Sequence, residues 1–302
     1  FMKHKTLKNK VVKPFFAVGL MLSTAFAFNA CDDDLPEGQP SWLGNSIYER
    51  LMEEGNYNTT LKLVDDLGQT EVLRHTGSKT LFVANDEAYA QWFANNKWGV
   101  RSYDQLSLAQ KKLLFNSSMI NNAYLIELMS NVSGNPPETG LCMRRNTALT
   151  IYDSVYTIKP EDMPMTEFWD RHRVKKNGIV LFKDGTAQPM IHFLPAFMKR
   201  NKITDEDLNL LTNGEAQSTN EAWINGKKVI ERDITCKNGY IHKVEGVVET
   251  APNMAEIIRT TPEMSTWSKL LDRFSAPYFD ANITKEYNRL YNNEDSVFVL
   301  RY

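Results

Sequence analysis

The chain has 302 residues, 42% of them hydrophobic and 24% charged, a composition that excludes wholesale disorder and has length for one large domain or two ordinary ones. Five of the 35 basic residues and none of the 37 acidic ones lie in residues 1–30, so the formal charge of −2 becomes −7 for the remainder. Such a surface, with no basic stripe, repels nucleic acid.

Residues 1–30 read as a targeting segment. Lys3, Lys5, Lys8, Lys10 and Lys13 precede an apolar run over 15–28 that is too short, and too interrupted by glycine and serine, for a comfortable membrane span. The run ends in Phe28-Asn29-Ala30-Cys31, which resembles a bacterial lipobox in its small residue directly before the cysteine and departs from the commonest choices at Phe28 and Asn29. The resemblance implies a lipoprotein signal peptide over 1–30, acylation of Cys31, and stable anchoring through several acyl chains. Asp32, Asp33 and Asp34 follow; such an acidic run is an inner-membrane retention signal in some bacteria, a surface-export tag in others, or a solvated tether. Residues 31–41 read as a linker.

The globular part opens with a helix in 41–54, where Leu43, Ile47 and Leu51 share a face. Leu61, Leu63, Val64 and Leu67 predict a second helix ending near Gly68. Residues 80–84 form an apolar β-prone run. Asn85 or Asp86 then caps a helix whose apolar face is Ala88, Tyr89, Trp92 and Phe93. Helices are expected over 107–115 and 122–129, a loop over 133–140, and strands over 147–158 broken at Asp153-Ser154. Further on, 179–182 and 190–193 flank Asp184-Gly185 as a hairpin, Thr204 with Asp207 caps a helix through Leu211, and 222–224 with 229–234 flank Asn225-Gly226 as a second hairpin. A strand over 240–248 closes this region. After Pro252, two helices are carried by Met254, Ile257 and Ile258, and by Met264, Trp267, Leu270, Leu271 and Phe274. The β-prone run 296–302 has no evident turn or partner.

Two stretches carry a family resemblance. Thr80-Leu81-Phe82-Val83-Ala84-Asn85-Asp86-Glu87-Ala88-Tyr89 resembles the first signature of fasciclin-like (FAS1) domains. Asn238-Gly239-Tyr240-Ile241-His242, leading to Gly246, Val247 and Val248, resembles the second. The resemblance implies an α+β fold with a β-sandwich-like core and wrapped helices, spanning 42–251 with an insertion at about 160–215. Thr80, Phe82, Asn85, Asn238, Gly239 and His242 are then structural residues, with His242 packed near the core. Residues 252–302, where 265–271 weakly echo 46–52, look like the start of a second, truncated FAS1-like repeat. With Phe1 ahead of Met2, this predicts a fragment of a longer product.

The family implies adhesion or binding to an envelope or extracellular protein, or to a glycan, rather than catalysis. The chain has no G-x-S-x-G, Walker A or G-x-G-x-x-G motif, no histidines at metal-ligand spacing, and no C-x-x-C pair. Asp205, Asp207 and Asn209 fail as a calcium loop because Leu210 stands where glycine is needed. No enzyme, cofactor, metal or nucleic-acid partner is expected. Cys142 and Cys236 are either a disulfide or, the favoured reading, two separate buried thiols. Phe168, Trp169 and His172 form a candidate binding patch, beside Met163 and Met165; Trp92 and Trp98 offer another. The expectation is a lipid-anchored envelope lipoprotein, outer-membrane and surface-exposed, acting as an accessory glycan- or protein-binding component. The alternatives are a structural scaffold lipoprotein or a carbohydrate-active hydrolase, the latter through carboxylate pairs such as Glu161 with Asp162.

Overall fold

A computed structural model describes residues 44–75, 77–182 and 188–301. Cys31, the signal and tether segments, and Asp184-Gly185 lie outside the described residues. The fold is α+β, with two mixed sheets.

Three helices come first: α1 (Ile47–Glu54), α2 (Asn58–Asp66) and α3 (Thr70–His75). Ser46 and Glu49 close a reciprocal capping box on α1, satisfying two N–H groups that the first turn leaves unpaired. The backbone and side-chain donors of Ser46, with Lys237, hold the Glu49 carboxyl down at about 2. Then come β1 (Lys79–Val83), α4 (Asp86–Ala94), α5 (Leu108–Ser117) and β2 (Met119–Ile120). Asn85 caps α4 by accepting from the Ala88 N–H at 2.9 Å. Asp86 caps a different helix, accepting from the Asn58 and Thr59 N–H groups at the start of α2. Partial burial raises the Asp86 pKa, but these donors outweigh it and hold the carboxyl below its usual range.

The middle of the chain supplies β3 (Arg144–Arg145), β4 (Val155–Ile158), α6 (Glu167–Arg173), β5 (Ile179–Phe182), β6 (Met190–Phe193), α7 (Pro195–Asn201) and α8 (Asp205–Leu211). Thr204 and Asp207 box the start of α8 as expected. Next are β7 (Trp223–Ile224), β8 (Lys227–Cys236) and β9 (Gly239–Val244). Asn225 and Gly226 both have positive φ, as a tight two-residue hairpin between β7 and β8 requires. The C-terminal stretch adds α9 (Met254–Thr260), α10 (Ser265–Phe274), β10 (Ala276–Phe279), α11 (Ala281–Tyr291) and β11 (Val297–Arg301).

The first sheet runs β2-β1-β9-β8-β7-β6-β3. Its centre is the parallel pair β1 and β9, with Thr80 opposite Tyr240 and Phe82 opposite His242. Strand β1 is buried on both faces, which explains its unbroken apolar sequence. Leu81 and Val83 pack with Ile47, Leu51, Val64 and Leu73 beneath the N-terminal helices. Phe82 and Ala84 face the other way, toward Tyr89, Trp92, Met190 and Val244.

The second sheet runs β10-β11-β5-β4, with β11 parallel to β5 and the other pairs antiparallel. One face, with Ile158, Leu181 and Phe298, packs on Trp169 of α6 and on Met163. The opposite face, with Val155, Phe182 and Val297, packs on Ile283 and Tyr287 of α11. The buried Asp153 ties this layer to the first, accepting from Asn116 of α5 at 3.1 Å and from the Tyr291 hydroxyl at 3.2 Å.

Several expectations need correction. The 179–182 and 190–193 runs do not form a hairpin; they lie in different sheets. Strand β5 is largely buried on both faces and takes a partner from each of two distant segments, which a local hairpin cannot supply. The run 296–302 does have partners, β10 and β5. Over 122–129 the only helical part is a 3-10 turn at Ile126–Ser130, because residues 122–124 are held by side chains from the sheet. The strand expected over 147–158 is confined to β4, preceded by a 3-10 turn at Ile151–Ser154 that Thr150 and Asp153 cap. Strand β10 and helix α11 have no counterpart in the sequence reading; for β10 the reason is Pro277, which argues against a strand except at a sheet edge, where β10 lies. The boundary expected after residue 251 does not divide the fold, since Gly44–Tyr302 forms one compact unit and the C-terminal strands share a sheet with β4 and β5.

Candidate functional site

The two signature stretches meet at the centre of the first sheet, and their polar residues are occupied internally. The Thr80 hydroxyl donates to the Asn122 carbonyl at 2.6 Å and accepts from the Tyr124 N–H at 2.8 Å. His242, fully buried, stacks on Phe82 with ring centroids 5.0 Å apart. Its Nδ1 accepts from the Asp233 N–H at 3.0 Å, so its proton sits on Nε2, which donates to the Tyr124 carbonyl at 3.0 Å. Burial pushes this imidazole's pKa down. Asp233, in a left-handed conformation within a bulged stretch of β8, accepts from the Ile126 N–H. Thr80 from one signature and His242 from the other therefore clamp the same loop, 122–124.

Asn238 is similarly committed. Its Oδ1 accepts from the Ile47 N–H at 2.9 Å and its Nδ2 donates to the Leu73 carbonyl at 2.7 Å, fastening the start of α1 and the end of α3 to the sheet. Gly239 has φ +147°, and a Cβ there would stand 1.9 Å from the Lys79 carbonyl oxygen. Glycine is required because β1 approaches too closely for any side chain. Thr80, Asn238 and His242 thus spend their polar atoms on the protein's own backbone, and Phe82 and Gly239 are held in the sheet.

The patch formed in sequence by Phe168, Trp169 and His172 is split by helix geometry. Trp169 and His172 lie three residues apart on the sheet-facing side of α6 and are buried. The Trp169 indole donates to the Ser275 carbonyl at 3.0 Å, and the His172 ring meets Phe298 edge-on at 4.9 Å. Phe168 points about 100° away from Trp169 and is 46% exposed. Trp92 is likewise buried, edge-on to the half-buried Trp98 at 5.5 Å. Cys142 and Cys236 are free thiols, and burial pushes Cys236 up to about 11. No group of three or more metal-ligating side chains occurs among the described residues. Among them, no helix is long and apolar enough to cross a membrane.

What the second sheet leaves uncovered is a groove of about 600 Å³. Its floor is Tyr156, Ile158, Leu181 and Leu300. Met163, Met165 and Trp169 form one wall, and α9 and α10 form the other, where Arg259 pairs with Asp272 at 3.4 Å. The lining also includes the carboxylates of Asp162, Glu256 and Asp272 and the guanidinium of Arg259. Met165 at its mouth is 85% exposed. Helix α10 adds an apolar stripe at helical spacing that buries none of its residues: Trp267 is 65% exposed and Phe274 68%, with Leu270 between them. Groove dimensions and lining are those of a site for a small ligand or a few peptide side chains. Sequence reasoning named Met163, Met165 and Trp169 but not the groove, whose other walls come from residues about a hundred positions away.

No protein-family profile matches this chain, and no curated protein matches it in sequence.

Proposed function

We propose that the chain is a fasciclin-like binding protein of the cell envelope, anchored through a lipid on Cys31 and displayed at the outer-membrane surface as a protein- or glycan-binding component. The observation that supports the family reading is the convergence of Thr80 and His242 on one loop. Two distant sequence signatures acquire one architectural job, as expected of a shared fold element. On this reading the signature residues maintain the domain, and binding belongs to the second sheet and α10, where apolar side chains stand exposed.

Acyl labelling and membrane fractionation of Cys31→Ala test the anchor. The expected outcome is loss of label and release from membranes; a variant still labelled and membrane-bound refutes lipidation at Cys31. Capture of envelope polymers by the chain from residue 41 onward tests binding, and retention of neither protein nor glycan refutes that part.

A further inference from the structure

We propose that residues 159–178 form a flap on the second sheet that protonation of His172 releases, so that mild acid opens the groove. The segment leaves the sheet at the end of β4 and returns at the start of β5, antiparallel neighbours in which Ile158 lies opposite Ile179. A Cβ on Gly178 would stand 2.1 Å from the Ile158 carbonyl oxygen, so the two ends of the segment lie against each other. The flap can therefore lift without separating a strand from the sheet. It carries Met163, Met165 and Trp169, one wall of the groove. It is held by Met163 and Trp169 packing on Ile158, Leu181 and Phe298, by the Trp169 indole donating to the Ser275 carbonyl, and by the His172 ring against Phe298. Helix α6 has only seven residues and no side-chain cap from Thr166, so it is not stable away from the surface it packs on.

His172 makes this attachment sensitive to pH. The ring is buried, and its Nε2 accepts from the Arg171 Nε–H at 3.1 Å. The neutral ring therefore carries its proton on Nδ1, which is buried without a partner. A second proton must go to Nε2, where it turns an acceptor into a donor facing the guanidinium N–H. The strands against α6 offer no anion: β5, β10 and β11 have Arg301 as their only charged residue. On α6 itself Asp170 pairs with Arg173, and Glu167 lies more than a helical turn away. Glu161 and Asp162 belong to the 3-10 turn at the start of the flap. The groove's charged residues, Asp162, Glu256, Arg259 and Asp272, line it with Trp169 and not with His172. Burial pushes the ring's pKa down, and the cations of Arg171 and Lys175 add to this. The released ring thus takes up a proton before the docked one, and docking is full above pH 6.5 and weakens below it. Release requires no ligand, so it stands apart from the binding-protein reading.

Amide hydrogen exchange on the whole chain at pH 7 and pH 5, corrected for the intrinsic pH dependence of exchange, tests the flap. Amides of α6 are expected to exchange faster than those of β1 at both pH values. Between pH 7 and pH 5 the opening of α6 is expected to rise about 3–25-fold, the upper end set by a ring that stays neutral while docked and titrates near 6.5 once released. His172→Leu keeps an apolar side chain against Phe298 and is expected to remove that rise while leaving the pH response of β1 as it is. Lys175→Glu puts an anion in place of one cation at an exposed position and is expected to reduce the rise about twofold or more. Both variants are melted at pH 7 to confirm that they fold. A rise unchanged in His172→Leu overturns the proposal, as does α6 exchange that ignores pH in the parent chain or that occurs only together with β1. If His172→Leu does not fold, Lys175→Glu decides: an undiminished rise overturns the proposal and a diminished one supports it.

Discussion

Replacing Asn238 with alanine isolates the energetic role of the second signature. The amide side chain is 4% exposed and serves two backbone groups in separate helices, the Ile47 N–H and the Leu73 carbonyl. Ile47 and Leu73 are themselves fully buried, so water does not readily replace the lost partner. Leaving a buried donor or acceptor unpaired costs about 1–3 kcal/mol, so two such groups lose about 2–6 kcal/mol. With domains of this size losing about 2–4 °C of Tm per kcal/mol, a central value near 4 kcal/mol lowers Tm by about 8–16 °C. That is a large fraction of the roughly 5–15 kcal/mol by which domains are stable. Urea unfolding followed by circular dichroism measures the loss. Amide hydrogen exchange supplies an independent readout, because Ile47 should lose protection ahead of the amides in β1. A loss below about 1 kcal/mol, or unchanged Ile47 protection in the folded variant, refutes the reasoning that Asn238 holds α1 and α3 to the sheet.

Phe82→Ala removes a buried ring stacked on His242 and should cost about 3–5 kcal/mol in a chemical melt. Ligand binding by the remaining folded protein should be unchanged, and a stable variant that loses binding places the site on β1. His192 supplies a pH dependence. It is fully buried, neither ring nitrogen has a hydrogen-bond partner, and burial, with the Arg145 charge, pushes its pKa from 6.5 to about 3. The unfolded chain takes up this proton near pH 6.5 and the folded chain does not until about pH 3. Stability is therefore full above pH 6.5 and falls as pH drops through that window, by about 2–3 kcal/mol at pH 4.5. His172 and His242, also shifted down by burial, act in the same direction. His192→Leu should flatten the decline measured by urea midpoints at pH 7 and 4.5; an unchanged slope rules His192 out as a contributor.

The parts of the fold legible in the sequence were those specified locally. Ser107, Thr204 and Asn85 mark helix starts because capping needs only neighbouring residues. Asn225-Gly226 marks its hairpin because the turn's backbone angles select those residues. The apolar runs of β1 and β5 were legible as strands, yet periodicity carries no information about which strand lies alongside. That is why β5 was joined in sequence to β6 and is found beside β11. The patch at Phe168, Trp169 and His172 failed for a related reason: aromatic density records apolar area without direction, and the turn of α6 assigns two of the three to the interior. The groove was illegible because no single stretch encodes it. Its floor comes from β4, β5 and β11, and its far wall from α9 and α10.

The placement of β11 between β5 and β10 bears on how the chain acquires its structure during synthesis. Strands β4 and β5 emerge early, but β11, which covers the open edge of β5, is translated more than a hundred residues later. Until then Leu181 and Phe182 sit on an unpaired strand edge, the kind of surface that recruits other chains. Ordering of the second sheet therefore waits on the last residues described. Truncations that remove residues 297–301 should leave the first sheet able to assemble and the middle of the chain prone to aggregate.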